Sequence, residues 1–165
     1  MLQIEVCNRQ SSLTIDPVWL RRVVTAVLEG EGVHRAEISL AVVSNDEIHR
    51  LNRRFLQHDE ATDVLSFQLQ SPAEPLEGEV VVSAEMAQVR CHEFGWSASD
   101  ELTLYVVHGT LHLVGYLDGT AEQKARMRAR ESDYLTRLGV LRKSLETDRL
   151  SQPAATLVDP GESNA

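Results

Sequence analysis

The sequence predicts an α+β fold: a small mixed four-stranded sheet with about five helices packed on it and a buried helix at its centre. Two patterns lead to this. The predicted elements run β-α-β-α-β-β-α-α-α, with two consecutive strands in the middle and three consecutive helices at the end. The stretch around Leu102, Leu104, Tyr105, Val106, Val107, Leu111, Leu113 and Val114 is apolar almost all round, so its helix belongs in the middle of the fold. The chain has 165 residues, 42% hydrophobic and 25% charged, which suits one globular domain with a real core. We place that domain at 1–145. From 146 to 165 the chain turns polar, with Pro153, Pro160 and Gly161, and reads as a disordered tail.

Each element has a local cause. Leu2, Ile4 and Val6 alternate with Gln3 and Glu5, a first strand. Asp16 as N-cap and Pro17 at the first helical position open a helix that Gly30 and Gly32 end. Ala36 to Val43 is a second strand. Ser44 to Glu47 fits a capping box, and Ile48, Leu51 and Phe55 face inward on the helix it starts. Asp63 to Leu69 is a third strand. Ser71 to Gly78 reads as a loop, and Glu79 to Val82 as a short fourth strand. Ser83 caps a helix running towards Gly95. Ser97 to Glu101 is the start of the central helix, with acids in its first turn. A last long helix covers roughly Thr120 to Leu138.

No apolar run approaches the roughly 18 residues that cross a bilayer, so no membrane partner is expected. The first residues lack a basic segment followed by an apolar one, hence no signal peptide is expected. Cys7 and Cys91 are far apart and read as reduced, buried thiols, which points to the cytoplasm. The net charge of −9 argues against broad attraction to nucleic acid. Residues 120–143 run the other way: Lys124, Arg126, Arg128, Arg130, Arg137, Arg142 and Lys143 stand against Glu122, Glu131 and Asp133. That run either guides a polyanion or is a solvated helix face with pairs such as Glu122 to Arg126.

The chemistry concentrates in the stretch Val107 to Asp118. His108 and His112 stand four apart, within roughly 40° of each other on one helix face. Gly115 lets the chain turn back, because glycine tolerates the left-handed conformation. The turn brings Asp118 up beside the two imidazoles. Two nitrogens and one oxygen converging from three sides make an open zinc-type site for a metal-dependent hydrolase, with the fourth position left for water. The spacing is that of the extended zincin pattern, but Gly109 stands where a metalloprotease carries its glutamate base. The alternative for Asp118 is a cap on the helix that starts near Thr120.

With these residues in place, the chain resembles the YbeY family of bacterial ribosomal RNA maturation factors, metal-dependent endoribonucleases. Its hallmark, His-Gly-x-Leu-His-Leu-x-Gly-Tyr-Asp-His, is matched from His108 through Tyr116. Thr62-Asp63-Val64-Leu65-Ser66-Phe67 matches a second block of the family, and Leu51-Asn52, Gly78-Glu79-Val80, Met127 and Glu131 agree as well. The resemblance implies cleavage of single-stranded or precursor ribosomal RNA, the small-subunit 3′ end first, with one Zn²⁺ and the ribosome or its proteins as partners. It also implies a part in ribosome quality control. A non-catalytic ribosome-assembly factor with a structural zinc is the alternative, and a zincin-type protease is a further one that Gly109 opposes.

Two departures stand out. The family's Asp-His pair is Leu117-Asp118 here, so the third ligand position is a carboxylate. An anionic ligand donates more charge, and a less acidic bound water is expected. Leu56 occupies a position where the family usually has arginine. Arg53 or Arg54, within one turn, substitutes for it, or the two form a solvated face. By resemblance Asp63 and Ser66 line the site or support its ligands; the alternative for Ser66 is a strand-end hydrogen bond. Spacing identifies no general base. Cys91-His92 is a weak metal signal, and His34, His49 and His58 have no partner spacing.

Overall fold

The structure is a computed structural model that describes residues 1–69 and 75–140 and the backbone of 157–158. Its elements are β1 (Leu2–Asn8), α1 (Pro17–Gly30), β2 (Ala36–Val43), α2 (Asn45–Leu56), β3 (Val64–Gln68), β4 (Leu76–Ser83), α3 (Ala84–Phe94), α4 (Ala98–Leu113), α5 (Ala121–Arg137) and the two-residue β5 (Leu157–Val158). Four strands make the body of a mixed sheet. β1, β2 and β4 are parallel, and β3 is antiparallel to β4. β5 adds parallel to the outer edge of β3, with Ser66 opposite Leu157. The rest of the tail read at 146–165 lies outside the described residues.

Period-2 alternation gives the two sheet faces different partners. Ile38, Leu40, Val42, Val64, Val80 and Val82 join the larger core with α1, α4 and α5. Ala41, Val43, Leu65, Phe67 and Val81 face the other way and meet Ile48, Leu51 and Phe55 of α2. Each fully buried Val or Leu contributes about 1.5–3 kcal/mol by transfer from water. Every residue of α4 from Glu101 to Leu113 is buried, which is why that helix reads apolar all round. No helix among the described residues is long and apolar enough to cross a membrane.

The caps are mostly where the sequence puts them. Asp16 accepts from Val18 and Trp19, and Ser83 accepts from Met86. Ser97 and Asp100 form a reciprocal capping box on α4. At α2 only half of the expected box exists: Ser44 accepts from the Glu47 amide, while the Glu47 carboxylate is taken by Arg9 at 2.8 Å.

Two further expectations need correcting. β4 starts at Leu76, not Glu79, and runs beside β2 along its whole length. Gly78 belongs to this strand because α4 crosses there: a Cβ would lie 2.8 Å from Leu113 Cδ2 and 3.1 Å from the Phe67 carbonyl oxygen. Residues 71–74 of the expected loop lie outside the described residues. Both cysteines are free, but only Cys91 is buried. Cys7 is exposed because it alternates onto the outer face of the edge strand β1.

Candidate metal centre

The centre sits where α4 ends. Tyr116 N–H donates to Leu111 O and Gly115 N–H to His112 O, both at 3.1 Å, with Gly115 at φ 110°. This double bond pattern around a left-handed glycine satisfies the last carbonyls of the helix and reverses the chain. The reversal carries Tyr116 back over the helix, so that His112 Nδ1 lies 2.8 Å from the Tyr116 carbonyl oxygen. A carbonyl only accepts, so Nδ1 carries the proton and the lone pair of His112 is on Nε2. His108 is fixed in the same sense by a different partner: its Nδ1 is 2.5 Å from Oε1 of Glu131 on α5. Such an outer acceptor sets the tautomer and makes the inner nitrogen a better donor.

Both Nε2 atoms then face Asp118. The distances to its Oδ2 are 3.7 Å from His108 and 3.4 Å from His112. Both imidazoles are 2% exposed. Oδ2 of Asp118 is buried and has no hydrogen-bond partner. A buried carboxylate oxygen without a donor costs free energy unless something positive meets it. Among the described residues, His108, His112 and Asp118 are the one group of three placed to hold a metal ion, with ligand atoms within 4.8 Å of one another. The N₂O donor set and the orphaned oxygen fit a divalent ion such as zinc. Asp118 is not the cap of α5. That role belongs to Thr120, whose hydroxyl accepts from the Gln123 amide in a reciprocal box.

Gly109 faces the sheet. A Cβ there would lie 2.6 Å from Val80 Cγ1, 2.9 Å from Val64 Cγ2 and 3.0 Å from Ser66 Oγ. The position where a metalloprotease carries its base is therefore a packing contact with no room for a carboxylate. Ser66 donates to the Gly109 carbonyl at 2.9 Å and ties β3 to α4 next to His108. Asp63 binds the Val64 amide and Arg90, both at 2.9 Å, and so anchors β3 to α3. Arg53 and Arg54 are exposed on α2, which packs on the sheet face opposite α4; the Arg54 guanidinium lies over the Phe55 ring at 5.2 Å. Neither is bonded to the three converging side chains.

A support that the sequence reading passed over is Glu31, just beyond α1. Tyr116 OH donates to its Oε2 at 3.0 Å, and Tyr134 OH to its Oε1 at 2.7 Å. Arg130 pairs with the same Oε1. One carboxylate thereby holds the turn that orients His112 and the helix that orients His108. Burial acts to raise the Glu31 pKa, but hydrogen bonds from Arg130, Tyr134 and Tyr116 outweigh it and hold the carboxyl below its ordinary value. Burial and Glu31 together push the Tyr134 hydroxyl up to about 12. A depressed carboxyl stabilises the fold above its unfolded value and loses that contribution as pH falls through the folded one. Glu31→Gln is expected to cost about 1–3 kcal/mol at pH 7. The deficit against the parent should shrink below about pH 4, measured by urea unfolding at both pH values. An equal deficit at both would deny the charge its part.

These elements place the chain among α+β proteins with a zincin-like metal site on a buried helix, without the protease carboxylate. Comparison with known proteins narrows the class. Residues 5–139 match the family described as Endoribonuclease YbeY. An Endoribonuclease YbeY of Salinibacter ruber is 42% identical over 132 residues, covering 75% of this chain and 84% of the relative. One of Bacillus velezensis is 32% identical over 154 residues, covering 86% and 98%. The solution structure of TM1509 from Thermotoga maritima shares the fold, with a TM-score of 0.59 and 23% identity, and covers 93% of this chain and 97% of that one. The chain belongs to the endoribonuclease YbeY family.

Proposed function

We propose that this chain is a single-strand-specific, zinc-dependent endoribonuclease that processes ribosomal RNA precursors, the small-subunit 3′ end first, and that it serves ribosome quality control. One domain, 1–145, carries the activity in the cytoplasm, and the ribosome or its proteins are its partners. The observation that supports this most is the pair of outer bonds, His108 to Glu131 and His112 to Tyr116, which turn two lone pairs onto a buried, unpartnered carboxylate oxygen. His108, His112 and Asp118 are the ligands in this reading.

A zinc ion held there would polarise a phosphodiester and lower the pKa of water. The chain does the rest. Glu131 and the Tyr116 carbonyl keep both imidazoles in the donor tautomer. Glu31 holds the Tyr116 turn in place. The packed Gly109 leaves no protein carboxylate beside the ligands on α4, which disfavours peptide hydrolysis. Arg53, Arg54, Asp63 and Ser66 enter only as support: the two arginines as surface cations, Asp63 and Ser66 as anchors of the strand behind α4.

His112→Ala tests the reading. The parent, purified with zinc, should cleave a single-stranded RNA and leave a peptide intact. The variant should lose stoichiometric zinc and fall to background on RNA while its circular dichroism stays that of the parent. Equal trace cleavage by both proteins would mean a contaminant and would sink the assignment. Zinc lost together with the fold would instead mark a structural metal.

A further inference from the structure

We propose that the cleft between the metal-site turn and α5 is the binding subsite for a nucleotide flanking the scissile phosphate, with Arg126 holding its phosphate. This rests on the endoribonuclease reading and deepens it. The cleft has a volume of about 380 Å³ and is lined by Val114, Gly115, Tyr116, Leu117, Gln123 and Arg126. Clefts of roughly 300–1,000 Å³ hold small ligands, and one nucleotide is such a ligand. It adjoins the centre through the chain itself: Leu117 precedes Asp118, and Tyr116 carries the carbonyl that fixes His112.

The lining has the chemistry of a nucleotide site. Arg126 is exposed and forms no ion pair with a described residue. This overturns the expected Glu122 to Arg126 pair, although a carboxylate four residues N-terminal is the favoured arrangement on a helix. The guanidinium lines the cleft instead. Two other arginines of α5 are engaged: Arg130 with Glu31 and Asp133, and Arg137 with Asp133. Arg126 is therefore a cation still available to an anion in the cleft, on a protein whose net charge of −9 otherwise repels RNA. Gln123 accepts with Oε1 from the Gly119 and Thr120 amides at 3.1 and 3.0 Å, which fixes its side chain. Its Nε2 donates to no described residue and offers two hydrogens to a sugar or base edge. Leu117 is 48% exposed beside Asp118, an apolar contact for a base. A guanidinium, an amide donor and an apolar side chain at one edge of a metal centre match phosphate, polar edge and ring of a single nucleotide.

The test uses the full chain loaded with zinc and a fluorescein-labelled, unstructured oligoribonucleotide, with binding and cleavage both followed at several salt concentrations. Arg126→Glu is compared with Arg22→Glu, which makes the same charge change at an exposed position of α1, outside the cleft. Arg126→Glu should weaken binding about tenfold and raise KM with kcat kept. The slope of log affinity against log salt should fall by about 0.7, the value of one phosphate contact on a single strand. Arg22→Glu should leave the slope unchanged, and zinc content should be equal in all three proteins. If the parent cleaves RNA and the two variants behave alike, the subsite is wrong and the endoribonuclease stands. A parent that binds RNA without cutting it overturns the nuclease reading, and the same slope comparison still judges the subsite. A parent that binds no RNA overturns both.

Discussion

Asp118→Ala should move the metal-free and metal-bound proteins in opposite directions. Oδ2 of Asp118 is buried without a hydrogen-bond partner, a penalty of about 1–3 kcal/mol in the metal-free fold. Removing the carboxylate removes that penalty, so the metal-free variant should melt at or above the parent's temperature at pH 8. Zinc affinity should fall by more than the roughly 10–100-fold that loss of an outer-shell partner causes, because a ligand itself is gone. The rise in Tm on adding zinc, which follows from binding to the native state alone, should largely disappear. A capping residue behaves the other way: its loss costs about 0.5–2 kcal/mol without metal and leaves zinc binding alone. Thr120 already fills the cap, so the first pattern is expected. Asp118→His, the residue that the family pattern has at this position, should restore zinc binding. Zinc affinity and Tm shift both unchanged in Asp118→Ala would remove Asp118 from the centre.

That contrast shows what a sequence carries and what it leaves out. Local rules in α4 are strong enough to read directly: the Ser97 cap, the four-residue spacing of the histidines and the glycine that ends the helix all recur in the structure. The order and type of the elements from β1 to α5 follow from periodicity, and so does the burial of α4. Spacing also brings Asp118 to the imidazoles, but it cannot say whether its oxygen is spoken for. The outer bonds of the histidines are less legible. Glu131 lies 23 residues beyond His108 and could be singled out only through the family match; Arg130 reaches Glu31 across 99 residues, with no periodic signal. The start of β4 was missed because Gly78 reads as a turn, whereas the structure uses it for a helix crossing. The Glu122 to Arg126 pair failed for a similar reason. Helix spacing permits it, but a side chain takes its direction from the tertiary surroundings, and Arg126 lies along a cleft.

Gly109→Ala is expected to destabilise the protein, opposite to the usual effect of replacing glycine inside a helix. On propensity alone the change favours the helix by about 0.8–1 kcal/mol. Here the new methyl would lie 2.6 Å from Val80 Cγ1 and 2.9 Å from Val64 Cγ2. Val80 is fully buried and Val64 2% exposed, and β-branched side chains have little freedom to turn away. Overpacking of this kind costs about 1–3 kcal/mol, occasionally more. The helix can relieve it by lifting off β3 and β4, and that strains the 2.9 Å bond from Ser66 to the Gly109 carbonyl. His108 is the next residue, so the displacement reaches its bond to Glu131 and the aim of Nε2. The variant should therefore show a Tm lower by about 2–8 °C and weaker zinc affinity together. The added variant Val80→Ala should recover part of both, because it removes the methyl that collides. The two effects need not add, since the sites are in contact. A Gly109→Ala protein as stable as the parent, with full zinc affinity, would mean that α4 does not approach the sheet this closely. The glycine beside the first histidine would then owe nothing to packing, and the missing protease carboxylate would need another cause.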